Sequence, residues 1–185
     1  MRRTILAGLI LVVATVLTVI VGEGLGLEIE SVALLGVATG AVVALVPDQT
    51  VSRRLAAFAV GFVAAFVGYL FRAAVTPDTS SGRAIFAGFV VLLCVGLVAI
   101  SAGRLPFWSA LVGSASLAGA YEFTYAQAPT RVLDTAVSSA TALLLCVGVG
   151  FMVAAFLTPR NDGPSAARPE SGDATQLDDM METSK

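Results

Sequence analysis

Long apolar stretches separated by short polar or glycine- and proline-rich breaks organise most of this chain. Six such stretches occur, at about residues 4–21, 31–46, 55–75, 84–102, 107–125 and 132–157. A helix needs roughly 20 mostly apolar residues to cross the hydrocarbon core of a bilayer. The pattern therefore predicts an all-α integral membrane protein, a bundle of six antiparallel transmembrane helices within residues 1–158. The second stretch is short and ends at Pro47, and the sixth is long enough to tilt.

The breaks are turn formers. Gly22-Glu23-Gly24-Leu25-Gly26 reads as a turn outside the lipid, and Pro47-Asp48-Gln49 and Ser101 to Pro106 read as helix-to-helix links. Thr76 to Gly82 reads as a loop, and Gln127 to Thr130 separates the last two helices, with Thr130 as an N-cap. Links this short make neighbouring helices antiparallel. Residues 159–185 differ: three prolines, six acids, three bases and no aromatic residue predict a disordered, acidic, cytoplasmic tail.

Composition agrees with the pattern. Hydrophobic residues make up 57% of the 185 and charged residues 13%, about half the usual share of a soluble domain. Ten of the eleven basic residues are arginine, in a chain rich in Ala, Val and Gly, which reads as prokaryotic coding of high GC content. Arg2, Arg3, Arg53, Arg54, Arg104 and Arg160 fall on one side of the predicted bundle, and Arg72, Arg83 and Arg131 on the other. The excess of positive charge on the first side predicts cytoplasmic N- and C-termini in a multi-pass plasma-membrane protein. Trp108 is expected at the inner interface, and Tyr69, Tyr121 and Tyr125 towards the outer one.

Much chemistry is excluded from expectation. Histidine is absent, and Cys94 and Cys146 each lie within apolar runs, so neither a metal site nor a cofactor is expected. No nucleotide-binding loop, nucleophile elbow or basic patch is present, and the chain is read as neither an enzyme nor a nucleic-acid binder. No charged residue is predicted at the bilayer centre, which disfavours proton-coupled transport through midmembrane carboxylates.

Two groups of residues remain. Gly36 and Gly40, Gly61 and Gly68, and Gly113 sit on small-residue faces that permit close helix packing. A pore lined by Gly, Ser and Thr would show the same pattern. Arg72, Glu122 and Asp134 lie on three different helices at one predicted depth, with Ser138 one turn beyond Asp134. They form a candidate outer vestibule in which Arg72 pairs with Glu122 or Asp134. The plainer expectation is that Arg72 snorkels to the headgroups.

Split after the third helix, each half has three helices, and Gly36 to Ala41 loosely echoes Gly113 to Ala120. An odd number of helices per half would make a 3+3 repeat inverted. Two functions follow as expectations: a small channel or facilitator for a small solute or ion, or a non-catalytic membrane subunit or scaffold. Expected partners are the lipid bilayer and either further copies of the chain or another membrane protein.

Overall fold

A computed structural model describes residues 2–24, 31–75, 79–127 and 132–157. The predicted tail lies outside the described residues. So do the Thr130 cap and most of the links around Glu28, Pro77 and Pro129.

The described residues form helices only: α1 (Arg2–Gly24), α2 (Ala33–Leu45), α3 (Val51–Val75), α4 (Ser80–Ile100), α5 (Phe107–Gln127) and α6 (Val132–Leu157). Val51–Val75, Ser80–Ile100 and Thr135–Phe156 are long and apolar enough to cross a membrane, whereas α1 and α2 supply shorter apolar stretches. Large apolar side chains cover the outside, among them Leu92 and Ile100 of α4 and Leu144 and Phe156 of α6. In water such a surface would be an aggregation hazard; a bilayer would cover it.

Several boundaries differ from the sequence expectation. Gly22, Glu23 and Gly24, expected as a turn, continue α1. Ser80 to Gly82, expected as loop, form the first turn of α4, because the Thr79 hydroxyl accepts from the Gly82 backbone N–H at 3.3 Å and caps the helix there. The helix then stops at Ile100, where Ala102 and Gly103 turn through positive φ of 52° and 75°.

The second helix is the shortest, at 13 residues. That is about 20 Å of helix, against a hydrocarbon core of about 30 Å. Its end is fixed by a cation. The Arg54 guanidinium donates from one nitrogen to the carbonyls of Val43 (2.7 Å), Ala44 (2.9 Å) and Val46, which have no partner within the helix. Arg54 was counted above as an inner-surface charge. It is instead buried, at 5% exposure, because these carbonyls replace its water.

The helices associate in two groups that do not follow chain order. One group is α1, α2 and α6, whose core of Val37, Val43, Leu143, Cys146 and Val147 has Leu11 and Val19 of α1 packed on it and also takes in Phe58 of α3, with Trp108 and Val112 of α5 against it. The other is α3, α4 and α5, with a core of Tyr69, Phe86, Cys94, Leu117 and Tyr121 to which α6 adds Ala136. Each group is built around a parallel helix pair. In the pair α2–α6, Gly36 faces Leu143 and Gly40 faces Val147; in α3–α5, Phe58 faces Gly113 and Tyr69 faces Ala118. Positions rise together along both helices, so each pair is parallel.

One contact closes both pairs. A Cβ built on Gly40 would overlap the Val147 carbonyl, and one on Gly150 would overlap the Val37 carbonyl. In the other pair Gly61 meets the Ala110 carbonyl and Gly113 meets that of Phe58. Every carbonyl involved lies three residues before a glycine that is itself used. Each contact is reciprocal, and each brings a glycine Cα–H against a C=O, an arrangement recurrent at tight helix interfaces.

Candidate functional site

The end of the bundle where α3 and α5 finish carries the densest polar cluster among the described residues. Arg72 stands in the last turn of α3, where a cation also suits the helix dipole. It is 1% exposed. One guanidinium nitrogen donates to both oxygens of Glu122 on α5, at 2.9 Å (Oε1) and 2.8 Å (Oε2). The hydroxyl of Tyr69, one turn before Arg72, donates to Glu122 Oε2 at 2.8 Å and approaches the Ala118 carbonyl at 3.3 Å.

Aromatic rings enclose this pair. The Arg72 guanidinium carbon lies 4.5 Å from the Tyr125 ring centroid and 5.6 Å from that of Phe86. Tyr69 contacts Phe86, Tyr121 and Tyr125, with centroid separations of 4.5, 4.9 and 5.3 Å. A cation held against aromatic faces away from water gains about 2 kcal/mol or more. The snorkelling expectation for Arg72 therefore fails: the residue turns inward to a carboxylate and two rings. Tyr69, Tyr121 and Tyr125, expected towards this end of the helices, are buried in the cluster.

Glu122 is the open side of the site. Its side chain keeps 39% exposure, and Arg83 of α4, itself 57% exposed, places Nε 3.9 Å from Glu122 Oε1. A half-exposed carboxylate thus stands between one buried and one surface arginine. Beside it, the Tyr121 hydroxyl bonds the Thr135 hydroxyl of α6 at 2.8 Å. Ala136 of α6 also packs into this cluster, with Ala140 against it. Ser138 is exposed on that helix, and the side chain of Asp134 lies outside the described residues.

The packing glycines divide by neighbour. Gly36 lies on Cys146 and the Leu143 carbonyl, and Gly40, Gly61 and Gly113 on backbone carbonyls, whereas Gly68 faces the side chains of Val90 and Phe86 on α4. Hydroxyls in the helices mostly bond back to their own helix, as do Thr18 to Ala14 (2.7 Å), Thr39 to Leu35 (2.8 Å) and Ser116 to Val112 (2.6 Å). Ser109 instead reaches the Arg54 carbonyl across helices at 2.7 Å, as Thr135 reaches Tyr121. The small faces are filled by neighbouring backbone.

Sequence reasoning missed three features: the Arg54 cap, the glycine partner Gly150, and the tie from the Trp108 indole N–H to the Asp48 carboxylate. Pro47 seven residues before Arg54 was a readable hint that an uncapped helix end lies within reach of a long cation. No known protein family, curated protein or solved structure matches the chain.

Proposed function

We propose that this is a multi-pass membrane protein of six spans, built from two inverted three-helix repeats, that moves a small solute or ion as a carrier-type facilitator rather than through a fixed pore. The observation that carries the reading is the repeated glycine contact. Under a 3+3 inverted repeat, α1, α2 and α3 correspond to α4, α5 and α6. The pair α2–α6 then corresponds to α5–α3, and these are the two pairs closed by the same reciprocal contact. Gly40 takes the role of Gly113, and Gly150 that of Gly61. The correspondence extends outward, since α1 packs on α6 as α4 packs on α3. Inverted repeats are common in secondary transporters.

A fixed pore is the weaker version of this idea, because the Gly and Ser faces that would line it are occupied by packing. The polar end at Arg72, Glu122 and Tyr69 is the natural solute-facing site, with Arg83 at its mouth. The positive-inside pattern puts both termini in the cytoplasm and this end outside. The test is solute flux into liposomes holding purified protein, across a panel of small anions, cations and neutral solutes. Flux above protein-free liposomes, lost in Arg72→Ala and kept in Arg83→Ala, supports the reading. Equal flux in the two variants removes the vestibule, and no flux for any solute removes the facilitator.

A second reading, a non-catalytic membrane subunit, is favoured by one observation. One face of α1 packs on the core through Leu11 and Val19, but the rest is left uncovered, with Leu9, Val12, Val13, Leu17, Ile20 and Val21 each more than half exposed. Intact-complex mass spectrometry after gentle solubilisation separates the readings: a stoichiometric foreign chain favours the subunit.

A further inference from the structure

We propose that the chain moves as two rigid bodies, α1–α2–α6 and α3–α4–α5, which rock against each other about the two places where the chain crosses between them. The purpose of this motion rests on the facilitator reading; its geometry does not.

Rigidity within each body comes from the glycine contacts. Sliding one helix of a pair by a residue would bring a Cβ onto a backbone carbonyl, so α2–α6 and α3–α5 have one register each. Among the described glycines, every approach to backbone lies inside a body. Between bodies the approaches are through side chains: Gly119 of α5 meets the end of the Leu35 side chain of α2, 3.2 Å from where its Cβ would stand, Phe58 of α3 packs into the core of the first body, and Ala136 of α6 packs into that of the second. Arg72, Glu122, Tyr69 and Phe86 stand on helices of the second body, while Thr135 and Ala136 of α6 reach the same cluster from the first.

Connectivity supplies the pivots. The chain passes between bodies twice, from α2 to α3 and from α5 to α6, and these crossovers lie at opposite ends of the bundle. Each has a fastener. At the Arg54 end, Arg54 of α3 holds the α2 carbonyls and Trp108 of α5 holds Asp48. At the Arg72 end, Tyr121 of α5 bonds Thr135 of α6. A few hydrogen bonds are separable on the scale of conformational equilibria, whereas the glycine contacts are not. Opening at the Arg72 end parts Tyr121 from Thr135; opening at the Arg54 end parts Trp108 from Asp48.

Pulsed electron resonance between spin labels on introduced cysteines reads this motion in the full chain. Cys94 and Cys146 are fully buried and stay in place. Labels at Val75 and Val137 span the bodies at the Arg72 end, labels at Leu45 and Phe107 span them at the other, and Val75 with Ala126 lies inside one body. The expected result is a narrow single distance for Val75–Ala126 and two populations for each spanning pair. Tyr121→Phe should shift the Val75–Val137 ratio towards the longer distance by about five-fold, the effect of one ordinary hydrogen bond. Single narrow distances for both spanning pairs, unchanged by Tyr121→Phe, would overturn the proposal. So would a within-body distribution as broad as the spanning ones. Two populations without flux for any solute would sustain the rocking and sink the facilitator; flux with static spanning distances would do the reverse.

Discussion

Gly61 of α3 lies directly on the carbonyl of Ala110 in α5, nearer than a residue bearing a Cβ could come. Gly113 of α5 lies in the same way on Phe58 of α3, so the contact is fixed from both sides. Gly61→Ala and Gly113→Ala should each destabilise the bundle by about 1–3 kcal/mol, since the added methyl meets backbone and not a side chain that can turn away. Gly88 and Gly148 have open space where a Cβ would stand. Alanine there should be neutral or stabilising by up to about 1 kcal/mol through helix propensity. Thermal unfolding in detergent checks both pairs, and equal effects at all four positions would dissolve the distinction.

The ionic cluster makes a separate prediction. Arg72→Ala removes the pair with Glu122 and the contact with Tyr125, and leaves a carboxylate and the Tyr69 hydroxyl rearranging in a half-closed site. Because Glu122 is 39% exposed, water recovers part of the loss, and the cost should be about 2 kcal/mol rather than the 3–5 of a fully buried pair. Arg83→Ala should change stability by less than about 0.5 kcal/mol, as expected for an exposed partner. Unfolding midpoints of the two variants, measured side by side, test this order.

Arg54 sets where α2 ends. Arg54→Ala leaves the carbonyls of Val43, Ala44 and Val46 without their donor in a buried corner. Hydrogen bonds to charged groups contribute about 1.5–3 kcal/mol, so amide exchange in the last turn of α2 should accelerate by ten-fold or more. Arg53→Ala, on an exposed neighbour, should leave that exchange rate unchanged. Hydrogen-exchange mass spectrometry of the two variants provides the comparison.

Hydrophobic length made the helices legible, because a stretch such as 132–157 admits little else and α6 has those same bounds. Turn chemistry misled at Gly22 to Gly24 and at Ser80 to Gly82: glycine and serine permit a turn without requiring one, and the Thr79 cap decided the second case. Depth placed Arg72 and Glu122 at one level, but contact depends on helix rotation, which spacing within a helix cannot give. Small-residue faces pointed to Gly36, Gly40, Gly61 and Gly113. Gly150 was overlooked although it was legible, since Ala142, Cys146, Gly150 and Ala154 recur at four-residue spacing and make a small-residue stripe on one face of α6. The two-body arrangement was illegible for a deeper reason. It arises from which helices are partners, and α2 finds α6 rather than its neighbour α3 through backbone contacts that no residue pattern encodes by itself.

A bundle of six spans is hardest to satisfy at α2, whose 13 residues cover about 20 Å. Single cysteines at Ser31, Asp48, Ser81 and Arg104, probed in intact cells with a membrane-impermeant maleimide, test it directly. In a six-span bundle Ser31→Cys and Ser81→Cys react from outside, whereas Asp48→Cys and Arg104→Cys react only after permeabilisation. If Ser31→Cys and Asp48→Cys react from the same side, α2 does not cross, and both the six-span bundle and its inverted repeat are wrong.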